Sequence, residues 1–236
     1  MQWWTLFKIS QSERHQFCQT IIESSSPRAD FYFLVLLSAL IVSLGIVHNN
    51  LILVIGGMLV TPLLSPILAI ALGLVVWDWK TVYWSGRTFL AALGLTFLVT
   101  ATVGWAFARG PLSQLQLVKM MEASWFSFLV ALIAGVAASY TWAKPELNNN
   151  LPGVAITVTL MPPLAIMGLA APLQDWVVLD KAIRVLFLNI GGIILASIIV
   201  FLFMEFYRCK RKVVAEVKEE EQEINGEHWW DKLKFK

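Results

Sequence analysis

Long apolar runs alternate with short polar gaps along this chain. Six runs stand out, near 31–47, 51–76, 88–107, 123–142, 151–171 and 183–207. A helix rises about 1.5 Å per residue, so about twenty apolar residues cross a hydrocarbon layer of about 30 Å. The pattern therefore predicts six membrane-spanning helices. Tryptophans mark their ends: Trp77, Trp79, Trp84, Trp105, Trp125, Trp142 and Trp176 all fall at or near a predicted terminus. Indole rings prefer the bilayer–water boundary, so these residues predict an aromatic belt.

The ends of the chain follow a different pattern. In residues 1–29, Trp3, Trp4, Leu6, Phe7, Phe17, Ile21 and Ile22 interleave with Lys8, Glu13 and Arg14. This predicts a cytoplasmic, interfacial amphipathic helix, ended by Ser24-Ser25-Ser26-Pro27. Residues 209–236 read as a charged cytoplasmic tail. KVVAEVKEEEQEI forms a solvated helix stopped at Asn225-Gly226, and HWWDKLKF is an amphipathic end.

Composition supports the membrane reading. Of 236 residues, 58% are hydrophobic and 14% charged, against about 45–50% and about 25% in soluble domains. The first apolar run has no small-residue cleavage site behind it, so it is expected to remain as a span. Cys18 and Cys209 lie outside the spans and form no C-x-x-C, which predicts neither a disulfide framework nor a metal site. Lys8, Arg14, Arg28, Lys80, Arg87, Lys144, Arg208, Lys210, Arg211 and Lys212 fall on one side of the predicted topology. Only Arg109, Lys119, Lys181 and Arg184 fall on the other. The positive-inside rule then places both termini in the cytoplasm of a cell with this protein in its plasma or inner membrane.

Two spans carry paired prolines. GGMLVTPLLSPILAIALGL contains Pro62 and Pro66, and LPGVAITVTLMPPLAIMGLA contains Pro162 and Pro163. Shifted by one hundred positions, Asn49-Asn50-Leu51 falls on Asn149-Asn150-Leu151, Val54 on Val154, Pro62 on Pro162 and Leu64 on Leu164. Each match sits on the second span of a three-span set. An odd number of spans reverses direction, so the chain reads as two inverted three-helix repeats. These are 30–110 and 111–208, the second starting its spans near 122. The fold class is thus an all-α membrane protein of six helices, with proline-broken second and fifth helices.

Proline has no N–H and leaves the carbonyl four residues back without a helical donor. Met58, Pro62, Val158 and Thr159 would lose partners in this way. Thr61, Ser65 and Met161 precede proline and are pushed from helical angles. Thr61, Ser65, Thr157 and Thr159 bring hydroxyls to the same level. An orphaned carbonyl in hydrocarbon costs several kcal/mol, so something polar must meet it. Met58, Thr61, Pro62, Ser65, Pro66, Thr157, Val158, Thr159, Pro162 and Pro163 therefore form the candidate solute- or ion-binding set. Kinks of this kind also serve packing alone.

Other polar residues change the picture less. Asn189 in the sixth span either bonds a neighbouring helix or lines the site. Ser38, Ser43, Thr96, Thr100 and Thr102 are expected to bond their own helix backbone. Asp180 and Arg184 have the spacing of a helical ion pair. Arg87 opens the third span at a place analogous to Arg184. Ala134, Gly135, Ala138, Ser139, Gly191, Gly192 and Ser197 permit close helix contacts, within one chain or between copies. No acidic residue falls mid-span, which argues against a proton-coupled pump.

Gly57-Met58, Pro62-Leu63, Ser65-Pro66-Ile67, Gly73 and Asp78-Trp79, with Leu151-Pro152-Gly153-Val154-Ala155 and Pro162-Pro163-Leu164, carry a family resemblance. From about Asp30 to Phe203 the chain resembles the prokaryotic "uncharacterised hydrophobic domain" family, domain of unknown function number 389. The resemblance implies a multi-pass membrane protein of a bacterium or archaeon and weight on both proline motifs. It implies no substrate.

The resulting expectation is a transporter of a small solute or ion, with its site where the interrupted helices meet. A homo-oligomeric channel and a non-transporting scaffold or sensor are the alternatives. The lipid bilayer is the expected surrounding, with no nucleic acid partner and no cofactor. An enzyme is not expected: there is no H-E-x-x-H, and His15, His48 and His228 are scattered.

Overall fold

The computed structural model describes residues 11–108, 112–144, 153–209 and 213–219, the side chains of 11, 12, 15, 113, 120 and 153–159 excepted. No strand occurs among the described residues. Helix α1 covers Gln11–Ser24 and α2 Ala29–Val47. The second apolar segment divides into α3, Leu51–Val60, and α4, Leu64–Val75. Then come α5, Trp79–Phe107; a short α6, Gln116–Met120; α7, Trp125–Ala143; α8, Gly153–Ala170; and α9, Trp176–Phe203.

α2, α5, α7 and α9 are each long and apolar enough to cross a bilayer, and the bent α3–α4 pair makes a fifth span if counted as one. These are the dimensions of a multi-pass membrane protein. Exposed large apolar side chains such as Ile52, Leu90, Leu98, Ile133 and Phe187 suit a surface that faces lipid. Of the tryptophans expected at a bilayer boundary, Trp77, Trp79, Trp105, Trp125 and Trp176 are exposed at or near helix ends, whereas Trp84 and Trp142 are partly buried against the core.

Three corners between helices are built alike. Asn49, Trp77 and Gln174 have positive φ, the usual way to end a helix. The next residue, Asn50, Asp78 or Asp175, sends its N–H back to the carbonyl of Gly45, Gly73 or Ala170. Its side chain then caps the following helix by accepting from Ile52 and Leu53, Thr81, or Val178 backbone N–H groups. A side chain that terminates one helix and starts the next gives a tight reversal.

Packing brings α2 against α3 and α5, α4 against α5 and α9, α8 against α5 and α9, and α7 against α9. The small residues act at the last of these. A Cβ on Gly135 would stand 2.8 Å from Ala196, one on Gly192 2.9 Å from Ala131, and Ser139 meets Ser197 at 2.8 Å. Gly191 instead faces open space.

Both peripheral segments differ from expectation where they are described. The apolar stripe of α1 is covered by protein rather than lipid. Phe17, Cys18, Ile21 and Ile22 are buried, and Phe17 packs against Phe201 and Phe206. Arg14 is buried beside Glu205 at 3.9 Å. In the tail, Val213 and Val217 are fully buried while Lys218 and Glu219 are exposed, so helix 213–219 keeps one dry face. The cluster Trp3 to Lys8 and residues 220–236 lie outside the described residues.

Candidate functional site

The second apolar segment breaks at its proline. Thr61 has φ −77° and ψ 130°, the extended backbone that a following proline enforces. α3 ends before it, α4 begins at Leu64, and the two axes differ by 51°. Pro66 plays another part than expected. It is the third residue of α4, where a backbone N–H has no helical partner to lose.

Polar groups from three helices converge on this interruption. Ser38 of α2 donates to the Gly57 carbonyl at 2.7 Å. That corrects its expected bond to its own helix and supplies a donor to the end of α3. Ser65 lies 2.9 Å from the Ser24 carbonyl and 3.0 Å from the Pro62 carbonyl and donates to this pair. The Pro62 carbonyl is therefore met, not free, and the end of α1 is tied to the start of α4. The Met58 carbonyl is denied its helical donor by Pro62, and the Met58 side chain is buried. Thr61 is 7% exposed, and its hydroxyl has no hydrogen-bond partner.

The fifth segment does not break. α8 runs as one helix from Gly153 to Ala170 with Pro162 and Pro163 inside it, correcting the expected interruption. Proline's fixed φ is compatible with a helix; its cost is the lost bond and the clash with the carbonyl four residues back. The buried packing of 160–166 offsets that cost. α8 lies against α3 and α2, which places the second proline pair in the helix beside the first. The side chains of Thr157, Val158 and Thr159 lie outside the described residues. Asn189 is buried in α9.

One feature of the interior was not foreseen. Along α5, Thr81, Ser85, Thr88, Thr96 and Thr100 are all buried on one face. Thr88, Thr96 and Thr100 donate to carbonyls of their own helix, as expected for the last two. The Ser85 hydroxyl has no partner. Spacings of four, three, eight and four residues fit one helical face and could have been found in the sequence. Elsewhere expectation holds: Ser43 and Thr102 bond their own helix, and Arg184 pairs with Asp180 at 2.8 Å. No metal-binding cluster occurs among the described residues.

A groove of about 380 Å³ runs between the α4–α5 corner and the end of α9, lined by Gly73, Trp77, Asp78, Trp79, Ile198 and Leu202 among others. It is separate from the interruption and mostly apolar.

The model of the domain of unknown function (DUF389) matches residues 58–195. The chain belongs to this family. The match starts at Met58, the residue whose carbonyl the proline orphans, and runs into α9. An uncharacterised protein of Methanocaldococcus jannaschii is 29% identical over 169 residues, 71% of this chain and 52% of that protein. The chain thus spans about half the length of that relative. No solved structure matches it.

Proposed function

We propose that this chain is a transporter of a small solute or ion, built from two inverted three-helix halves, 30–110 and 111–208. Both termini would lie in the cytoplasm. The observation that carries the reading is the interruption between α3 and α4: a buried break in an apolar segment with an unpartnered Thr61 hydroxyl. Irregular backbone at membrane depth is tolerated where protein or a polar cavity surrounds it, and interrupted helices are a common place for transport sites.

Several observations support the two halves. The corners Trp77-Asp78-Trp79 and Gln174-Asp175-Trp176 have the same geometry. They stand 97 positions apart, as do Arg87 and Arg184. The buried residues of α5 are Thr81, Ser85, Thr88, Phe89, Ala92, Thr96, Thr100, Val103 and Gly104. Moved forward by 97, every one lands on a buried residue of α9. The middle helix of each half also packs on the last helix of the other, α4 on α9 and α8 on α5. Motion of one half against the other would alternate access to the interruption.

Purified protein in liposomes, given a panel of ions and neutral solutes, tests the reading. Saturable uptake of at least one of them is expected, altered by Pro62→Ala. No uptake of any, from protein shown to be folded, would remove it.

A further inference from the structure

Resting on that transport reading, we infer that the interruption between α3 and α4 takes a small monovalent cation, held by neutral oxygen atoms. The choice follows from which donors and acceptors remain there.

An anion needs N–H groups or a cationic side chain. The start of a helix normally offers several free N–H groups, but here Pro66 takes one from the entering turn of α4, leaving those of Leu63, Leu64 and Ser65. The Ser65 proton is committed to the Ser24 and Pro62 carbonyls. From 51 to 75 the chain contains no Lys, Arg or His. The anion-binding side of the break is thus weakened by one donor and by the absence of a cationic side chain from this segment.

The oxygen side is not. α3 ends at the break, and a helix C-terminus carries partial negative charge on its last carbonyls. The Met58 carbonyl lacks its helical donor, and Ser38 has taken only the Gly57 carbonyl. Thr61, buried and without a partner, adds a hydroxyl oxygen.

Charge separates monovalent from divalent cargo. Calcium and magnesium sites use carboxylates, and 51–75 contains no Asp or Glu. Neutral oxygens alone suit an ion that is cheaper to dehydrate.

The test uses the full chain in liposomes with tracer sodium, rubidium and chloride, and with glycerol, on one preparation. Sodium or rubidium uptake is expected to saturate, with chloride and glycerol at the level of protein-free vesicles. Thr61→Val keeps the side-chain shape and removes the hydroxyl. It is expected to raise the half-saturating cation concentration about tenfold, the effect of a ligand worth about 1.4 kcal/mol, and Thr61→Ser is expected to restore it. Binding without transport gives a second readout: the transported cation, against choline, should raise the melting temperature of the native chain more than that of Thr61→Val. Chloride or glycerol uptake without cation uptake overturns the cation assignment and leaves transport standing. Absence of all uptake overturns both. Equal half-saturation for the native chain and Thr61→Val overturns the ligand role of Thr61.

Discussion

Two helices of this protein carry proline pairs, and they behave oppositely. The second apolar segment parts at Thr61–Leu63 and turns by 51°; α8 passes through Pro162 and Pro163 unbroken. Proline chemistry is the same in both, so it does not decide the outcome. Chain length does differ. Trp77, the left-handed corner residue, lies fifteen positions after Pro62, and Gln174 lies twelve after Pro162. The missing three equal the residues that lie between α3 and α4. Packing does not separate the two segments where both are described. In α3, Ile52, Ile55 and Leu59 are about half exposed or more, but the side chains at the matching places of α8 lie outside the described residues; after the prolines, Leu64, Ile67, Leu68 and Leu72 of α4 are as buried as Leu160, Met161, Leu164 and Leu169 of α8. A proline permits a break; spare chain turns the permission into one.

The largest expected effect comes from attacking the packing that holds α8 in place. A Cβ on Gly168 would stand 1.8 Å from the Thr100 hydroxyl and 2.8 Å from the Phe97 carbonyl. Thr100 is a β-branched residue with little room to turn, and Phe97 offers backbone. Gly168→Ala should therefore destabilise by about 3 kcal/mol, the upper end of overpacking costs. Gly94→Ala, on a face with nothing within 4 Å, should cost nothing. Unfolding in mixed micelles, followed by tryptophan fluorescence, compares the two.

Next is the tie between α1 and the break. Ser65→Ala would leave the Ser24 and Pro62 carbonyls without their shared donor, at about 1–2 kcal/mol for a buried polar group left unpaired. The same micelle unfolding reads it. A change within error would mean that water already serves these carbonyls.

How far the sequence carried depends on the range of the interaction. The apolar helices were legible because spanning length is a local signal, but not all their ends: α5 starts at Trp79 and α9 at Trp176, well before the predicted 88 and 183. The break at Thr61 was legible because a proline restricts its immediate predecessor. The continuity of α8 was not, since it rests on contacts with α5 and α9 and on a three-residue difference hidden by an ungapped comparison. The ungapped register of one hundred holds from Asn49 to Leu64 and gives way to 97 by the corner. Ser38 was assigned to its own helix because its partner stands nineteen residues away. The burial of α1 was hidden in the same way. An apolar stripe with charges suits lipid or protein equally, and only Ser65 reaching Ser24 distinguishes them.

The break itself can be tested by distance. At 1.5 Å per residue, α3 and α4 are rods of roughly 15 and 18 Å. Closing a bend of 51° would lengthen their span by about 3 Å on that geometry. Spin labels at the exposed positions Ile52 and Trp77 should report this increase in Pro62→Ala, which regains an N–H for the Met58 carbonyl. Stability should move by less than about 1 kcal/mol, since the restored bond is worth about that much. α8 is already continuous, so Pro162→Ala should leave the distance between the same pair of labels at its native value. Lengthening in both variants would erase the contrast between the two motifs.

The smallest effect separates two serines of α2. Both are fully buried, and both donate to a backbone carbonyl. Ser43 donates to Ala39, one turn back in its own helix, at 2.6 Å. That carbonyl has a helical donor in any case, so Ser43→Ala removes a redundant bond and should leave stability unchanged. Ser38 donates across to Gly57, at the end of α3, where the helix supplies no further N–H after Thr61 turns extended. Interhelical hydrogen bonds in membranes average about 0.6 kcal/mol, so Ser38→Ala should cost about that much and loosen the break. Hydrogen exchange sharpens the comparison: opening should rise at amides of 57–64 in Ser38→Ala and stay native in Ser43→Ala. If both variants behave alike, the Ser38–Gly57 bond contributes nothing to holding the interruption in shape.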